Sequence, residues 1–156
     1  MSGDRRASPW LFLERDMFKS PAWLGLGGLA PHVYMLFRLR LQVHRVKGPQ
    51  HKRTPFEFVN NGELRFGYAE AKHDFGISIP RFRRALAELV ARGFLDVAHH
   101  GGGLEGDVSK YAISERWRRY GQPDFEAVTL PRGRGWTKKA THENVSAPTY
   151  ENVSGA

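Results

Sequence analysis

The sequence predicts an α+β domain, mainly α, organised around residues 66–94. Three observations predict it. Residues 66–94 read as a short helix, a tight turn at Gly76 and a longer helix, with apolar residues at helical spacing on both sides of the glycine. Asn60-Asn61-Gly62 stands between two short alternating runs, a hairpin signal. Beyond Gly93, two β-type runs at 94–98 and 108–113 flank the glycine-rich residues 99–107.

Taken in order, residues 1–28 form an N-terminal arm. Trp10, Leu11, Phe12 and Leu13 either dock it on the core or leave a frayed end, and Ser20-Pro21-Ala22-Trp23 punctuates it. Residues 31–46 read as an amphipathic helix with Val33, Leu36, Phe37, Arg40 and Leu41 at helical spacing. Its basic end (Arg38, Arg40, Arg45, Lys47) either complements the helix dipole or contacts phosphate. Residues 47–55 are a loop carrying Lys52 and Arg53. The expected hairpin follows at 56–66, with Phe56, Phe58, Leu64 and Phe66 on one buried face.

The first helix of the central pair is expected over 68–74. Gly76 ends it, because glycine tolerates the left-handed conformation of a helix stop. The second helix is expected over 79–92, capped by the Ser78 side chain, with Pro80 in its first turn and Gly93 as its stop. At 100° per residue, Ile79, Phe82, Leu86, Leu89 and Val90 gather on the core side. Pro80, Arg84, Ala87 and Ala91 lie opposite, flanked by Arg81 and Arg83. One face is therefore apolar, and the other is slim and basic.

Residues 114–120 predict a last short helix capped by Ser114. Trp117 and Tyr120 fold back on the core, and Arg116, Arg118 and Arg119 point outward. Residues 29–121 thus make one domain, and 122–156 make a flexible tail rich in Pro, Gly, Thr and Ser. Within the tail, Arg132, Arg134, Lys138 and Lys139 surround Trp136, a pattern that suits either loose nucleic-acid binding or a solubilising tail. A short repeat, with Glu143-Asn144-Val145-Ser146 returning as Glu151-Asn152-Val153-Ser154, is either a linear motif or a remnant of gene slippage.

The net charge of +8 suits an anionic partner. It is unevenly spread. Residues 1–55 carry ten Lys/Arg against three Asp/Glu, whereas residues 56–120 carry ten against nine. The central segment is nearly neutral overall, so its cations at 81, 83 and 84 are sorted rather than merely abundant. The absence of cysteine excludes disulfides and cysteine-based zinc sites. His73, His99 and His100 have no metal-ligand spacing. Gly101-Gly102-Gly103 lacks the Lys-Ser/Thr ending of a phosphate loop. No nucleophile motif or spaced carboxylate pair is present. The expectation is a protein that is not an enzyme and has no metal and no cofactor. The N-terminus lacks a signal-peptide profile, and the uncharged residues 20–37 are broken by Pro and Gly, so a cytoplasmic, nucleoid-associated protein without a membrane span is expected.

Helix, turn, helix, strand, glycine-rich loop, strand is the order of a winged helix, with residues 99–107 as the wing. The pattern Gly76-Ile77-Ser78, Phe82, Ala85-Leu86, Leu89, Gly93-Phe94 resembles the winged helix-turn-helix DNA-binding proteins of bacteria, in particular the small helix-turn-helix proteins of chromosomes and mobile elements. The resemblance implies a winged helix-turn-helix fold, preceded here by the extra hairpin. It implies double-stranded DNA as partner and transcription regulation as role, with helix 79–92 in the major groove. Carried onto this chain, recognition falls on Ser78, Arg81, Arg83 and Arg84. Lys72, Lys52 and Arg53 would hold phosphates, and His99, His100 and Lys110 are the only cations near a wing whose tip has none. The alternatives are a protein–protein module on the same scaffold, with a homodimer or another protein as partner, and a plasmid or phage replication initiator.

Overall fold

The computed structural model describes residues 11–45 and 56–131. These form an α+β fold of five helices and two small antiparallel sheets. The helices are α1 (Arg15–Lys19), α2 (Pro21–Leu24), α3 (Ala30–Leu39), α4 (Tyr68–Phe75) and α5 (Ile79–Ala91), and the strands are β1 (Val43–Arg45), β2 (Phe56–Phe58), β3 (Leu95–His99) and β4 (Lys110–Ile113). A 3₁₀ turn, Arg116–Arg119, follows β4.

The arm docks on the core from residue 13 onward. Ser20 ends α1 and starts α2: its hydroxyl donates to the Met17 carbonyl at 2.6 Å and accepts from the Trp23 amide at 3.2 Å. Met17 and Ala22 are buried, and Trp23 packs edge-on against Tyr34 and Phe94. Edge-to-face rings add to burial because the positive edge of one meets the negative face of the other. Phe94 stacks in turn on Trp117. These four rings join the N-terminal arm, α3, the end of α5 and the 3₁₀ turn.

Two expectations about residues 31–66 are corrected. The helix expected over 31–46 stops at Leu39. The Arg40 and Leu41 amides reach back only three residues, to the Phe37 and Arg38 carbonyls at 3.1 and 3.2 Å, which tightens and ends the last turn. Val43–Arg45 then becomes a strand paired antiparallel with Phe56–Phe58. The hairpin expected within 56–66 therefore does not form. The two asparagines instead spend their side chains on distant main chain. Asn60 accepts from the Gln42 amide and donates to the Arg40 carbonyl, and Asn61 takes both main-chain groups of Ile113. Gly62, at φ 98°, turns the chain so that Leu64 bridges Tyr111 through two bonds of 3.1 and 2.8 Å. Leu64 and Phe66 are buried as expected, while Phe58 is exposed.

Helix α4 ends as its glycine requires. Gly76 is left-handed at φ 63°, and the amides of Gly76 and Ile77 return to the Lys72 and Ala71 carbonyls. Buried Ile77 anchors the turn. Ser78 occupies the N-cap of α5 in extended conformation, but its side chain makes no capping bond, which corrects the expected role. On α5, Phe82, Ala85, Leu86, Leu89 and Val90 are buried against α3, α4 and β3. Ile79 is corrected from core to surface. It lies on the core side by helical angle, but at the first residue of the helix it is 51% exposed.

Gly93 stops α5 at φ 84°, where a Cβ would come within 2.6 Å of the Trp117 amide nitrogen. Strands β3 and β4 pair in the register Leu95↔Ile113 to His99↔Lys110, with an irregularity between Val97 and His99. Ser114 remains a partial cap: its hydroxyl accepts from the Arg116 amide at 3.3 Å. The first residues of the expected tail also pack, since Val128 and Leu130 lie against the core. The Lys47–Pro55 loop with its Lys52 and Arg53, the Trp136 segment and the C-terminal repeat lie outside the described residues.

Candidate nucleic-acid interface

Among the cations of the described residues, two groups stand out beside the exposed Arg15 and Lys19 of the arm. In the first, each guanidinium or ammonium is held by the protein itself. Arg40 bonds the Arg65 and Leu36 carbonyls and the Glu70 carboxylate, and its guanidinium lies 3.8 Å from the centre of the Phe66 ring. Arg38 bonds the Phe12 carbonyl and lies over the Phe58 ring. Arg92 pairs with Glu88 and packs over Tyr120. Arg38 and Arg40 are thus structural cations, while the Arg45 side chain and Lys47 lie outside what is described.

Of the arginines of the 3₁₀ turn, all expected to point outward, Arg118 and Arg119 are exposed and Arg116 is corrected to a half-buried one. Arg116 is a hub: it pairs with Asp96 at 2.7 Å and donates to the carbonyls of Val90, Leu95 and Glu126. Arg118 is held by Glu14 and Glu115, and Arg119 by Asp124. The fork of five N–H donors explains why arginine rather than lysine fills these places.

In the second group, Ser78, Arg81, Arg83 and Arg84 are exposed at the start of α5, and Lys72 is exposed in the last turn of α4. Among the described residues, the side chains of Arg81, Arg83 and Arg84 have no ion pair, hydrogen bond or ring contact. Pro80 and Ala91 are exposed on the same helix and Ala87 is half-buried, so the face between the arginines is low and narrow. No acidic side chain lies in the first turn of α5. Arg65, which the sequence reading did not single out, is also exposed and makes no ion pair among the described residues. Its position was legible, since it alternates with buried Leu64 and Phe66 in an extended run.

The β3–β4 connection is built differently. Asp107 closes it: one carboxylate oxygen meets His99 Nε2 at 2.7 Å, the other accepts from the Gly103 amide at 3.2 Å, and its carbonyl accepts from the Gly102 amide. The His99 bond, followed by the Gly103 amide, holds the Asp107 carboxyl below the usual aspartate range. Lys110 is engaged by Glu63 at 2.6 Å, and that bond lowers the Glu63 carboxyl. Of the three residues expected near the wing, His99 and Lys110 therefore face carboxylates of this chain, while His100 is exposed. Leu104, 84% exposed, stands near the tip beside Glu105.

Among the described residues, no group of three or more His, Asp or Glu is placed to hold a metal, and no helix is long and apolar enough to cross a membrane. Comparisons with protein-family models, curated proteins and solved structures find no match.

Proposed function

We propose that this protein binds double-stranded DNA and reads the major groove with α5 as a recognition helix, acting as a regulator of transcription. One observation carries the reading. Arg81, Arg83 and Arg84 extend from one exposed helix start without partners among the described residues, whereas Arg38, Arg40, Arg92 and the arginines of the 3₁₀ turn are held by carboxylates, carbonyls or rings of the chain. Exposed, unpaired guanidinium groups on a slim helix are what bidentate guanine contacts require.

The order of elements supports the same reading. Helix α4, the Gly76 turn, α5, β3, a glycine-rich connection and β4 follow the winged-helix order. Arg81 and Arg84 would face base edges, while Arg83 and Lys72 would take phosphates. The wing would contribute little. Its tip carries Leu104 and Glu105, and two of the residues expected near it, His99 and Lys110, already face Asp107 and Glu63.

The test is duplex binding by the full chain at physiological salt, with random and selected sequences. Loss of sequence preference in Arg81→Ala/Arg84→Ala supports the reading. Unchanged binding by that double variant overturns it and favours the second reading, a protein-docking module, for which the exposed Phe18 and Leu24 of the arm speak.

A further inference from the structure

We infer that Ile79 reads the C5 methyl group of a pyrimidine in the major groove, beside the base pairs that Arg81 and Arg84 contact; this rests on the DNA-binding reading of α5. Ile79 is the first residue of the helix and is 51% exposed, while Phe82, one turn later, is fully buried. Every neighbour that shares the exposed start of α5 is polar, charged or proline: Ser78, Pro80, Arg81, Arg83 and Arg84. Ile79 is the one large aliphatic side chain among them. About half of its surface is exposed, and burial inside this chain does not account for that half.

The major groove displays one apolar group among its donors and acceptors, the methyl on C5 of thymine. 5-Methylcytosine presents the same methyl at the same ring position. A β-branched side chain suits such a contact because its χ1 is already restricted, so little rotamer freedom is lost on docking. Ile79 also stands at the helix start, the part of a recognition helix that reaches base edges. Arginines supply attraction to guanine and to phosphate, and neither contact distinguishes a methylated from an unmethylated pyrimidine. An aliphatic residue does, through burial of one methyl group.

The test uses the full-length protein and the duplex it selects from a random pool at physiological salt. Each thymine is replaced in turn by deoxyuridine, and each cytosine by 5-methyldeoxycytidine, so that the two arms separate thymine from methylcytosine as the source of the methyl. At one position, wild type is expected to lose about fourfold in affinity when a thymine methyl is removed, or to gain about fourfold when a cytosine methyl is added, the value of one buried methyl-sized group. Ile79→Ala, shown by thermal melting to be folded, is expected to bind methylated and unmethylated duplexes equally. A selected sequence with no methyl-sensitive position, or sensitivity that survives in Ile79→Ala, overturns this inference and leaves the arginine reading standing. If no sequence is selected and Arg81→Ala/Arg84→Ala binds random duplex as wild type does, both fall together.

Discussion

The side-chain amide of Asn61 pairs with the main chain of Ile113 as a neighbouring strand would. Its oxygen accepts from the Ile113 amide at 2.7 Å, and its nitrogen donates to the Ile113 carbonyl at 3.1 Å. Asn60, next in the chain, does the same for the Arg40 carbonyl and the Gln42 amide at 2.8 and 2.7 Å. Two adjacent residues thus clasp the two sheets, one on each side. Net hydrogen-bond contributions of about 1 kcal/mol each set the expected cost. Asn61→Ala is expected to lose about 1–2 kcal/mol in urea unfolding. Asn60→Ala is expected to lose more, about 2–3 kcal/mol, because its bonds are partly buried and their loss orphans main-chain groups. Equal, negligible effects would show that the turn forms without them.

Gly93 combines a left-handed φ of 84° with main chain packed against its Cα. A Cβ there meets the Trp117 nitrogen at 2.6 Å and the Arg116 carbonyl carbon at 2.7 Å, backbone atoms that cannot swing away. Gly93→Ala is expected to cost about 3 kcal/mol or more, combining backbone strain with displacement of the 3₁₀ turn. Gly62→Ala is the control: its φ of 98° brings strain but nothing lies within 4 Å of the added methyl, so its loss is expected to be smaller. Thermal melting of the two variants ranks them.

Among the described residues Arg81 and Arg84 have no partner, so their removal separates folding from binding. Arg81→Ala and Arg84→Ala are each expected to shift unfolding by no more than about 0.5 kcal/mol, as for exposed positions away from special contacts. On a selected duplex, each is expected to cost about 1–3 kcal/mol, confined to one base position. Arg116→Ala should behave in the opposite way. It removes the partner of Asp96 and of three carbonyls, so unfolding rather than duplex affinity should register the change. Calorimetry paired with duplex titration distinguishes the two classes.

Phosphate contacts show in salt dependence. Each phosphate neutralised contributes about 0.9 to the slope of log affinity against log salt. Arg83→Ala and Lys72→Ala are each expected to reduce that slope by about one, weakening all sequences alike. Lys110→Ala is expected to leave it unchanged, because that ammonium already faces Glu63.

Acid should loosen the β3–β4 connection. Folding lowers the Asp107 carboxyl through the His99 and Gly103 bonds, and it lowers Glu63 and Asp124 through Lys110 and Arg119. A carboxyl lowered by folding contributes stability above its ordinary range, and that contribution is lost as pH falls through the lower folded value. Melting temperature is therefore expected to decline below about pH 4. Asp107→Asn should be less stable at neutral pH and should decline less steeply on acidification. A wild-type curve flat across this window would contradict the assigned bonds.

The central helices were legible because their signals are local. Gly76 needs a left-handed stop, and the apolar spacing of Phe82, Leu86, Leu89 and Val90 defines a core side. The β1–β2 pairing beside Asn60 was not legible, because the signal there is ambiguous. Asn-Gly favours a hairpin by backbone propensity, but these asparagines act through side chains on residues 18 to 52 positions away. Spacing rules see only neighbours. The same limit explains Arg116: helical periodicity places it outward, and the Asp96 carboxylate with the carbonyls of Val90, Leu95 and Glu126 draws it in. For the candidate site, exposure of Arg81, Arg83 and Arg84 followed from the helix pattern, whereas Ile79 did not, since periodicity cannot tell where a core ends.

The carbonyl of Glu126 completes the ring of acceptors around Arg116, and Val128 and Leu130 cover the apolar cluster behind it. The folding unit therefore does not close at Gly121, where local turn chemistry suggests a border. A chain cut there would keep every described helix and strand yet bare apolar surface and take one acceptor from Arg116, so any shortened version for crystals or spectroscopy must carry the segment through Leu130.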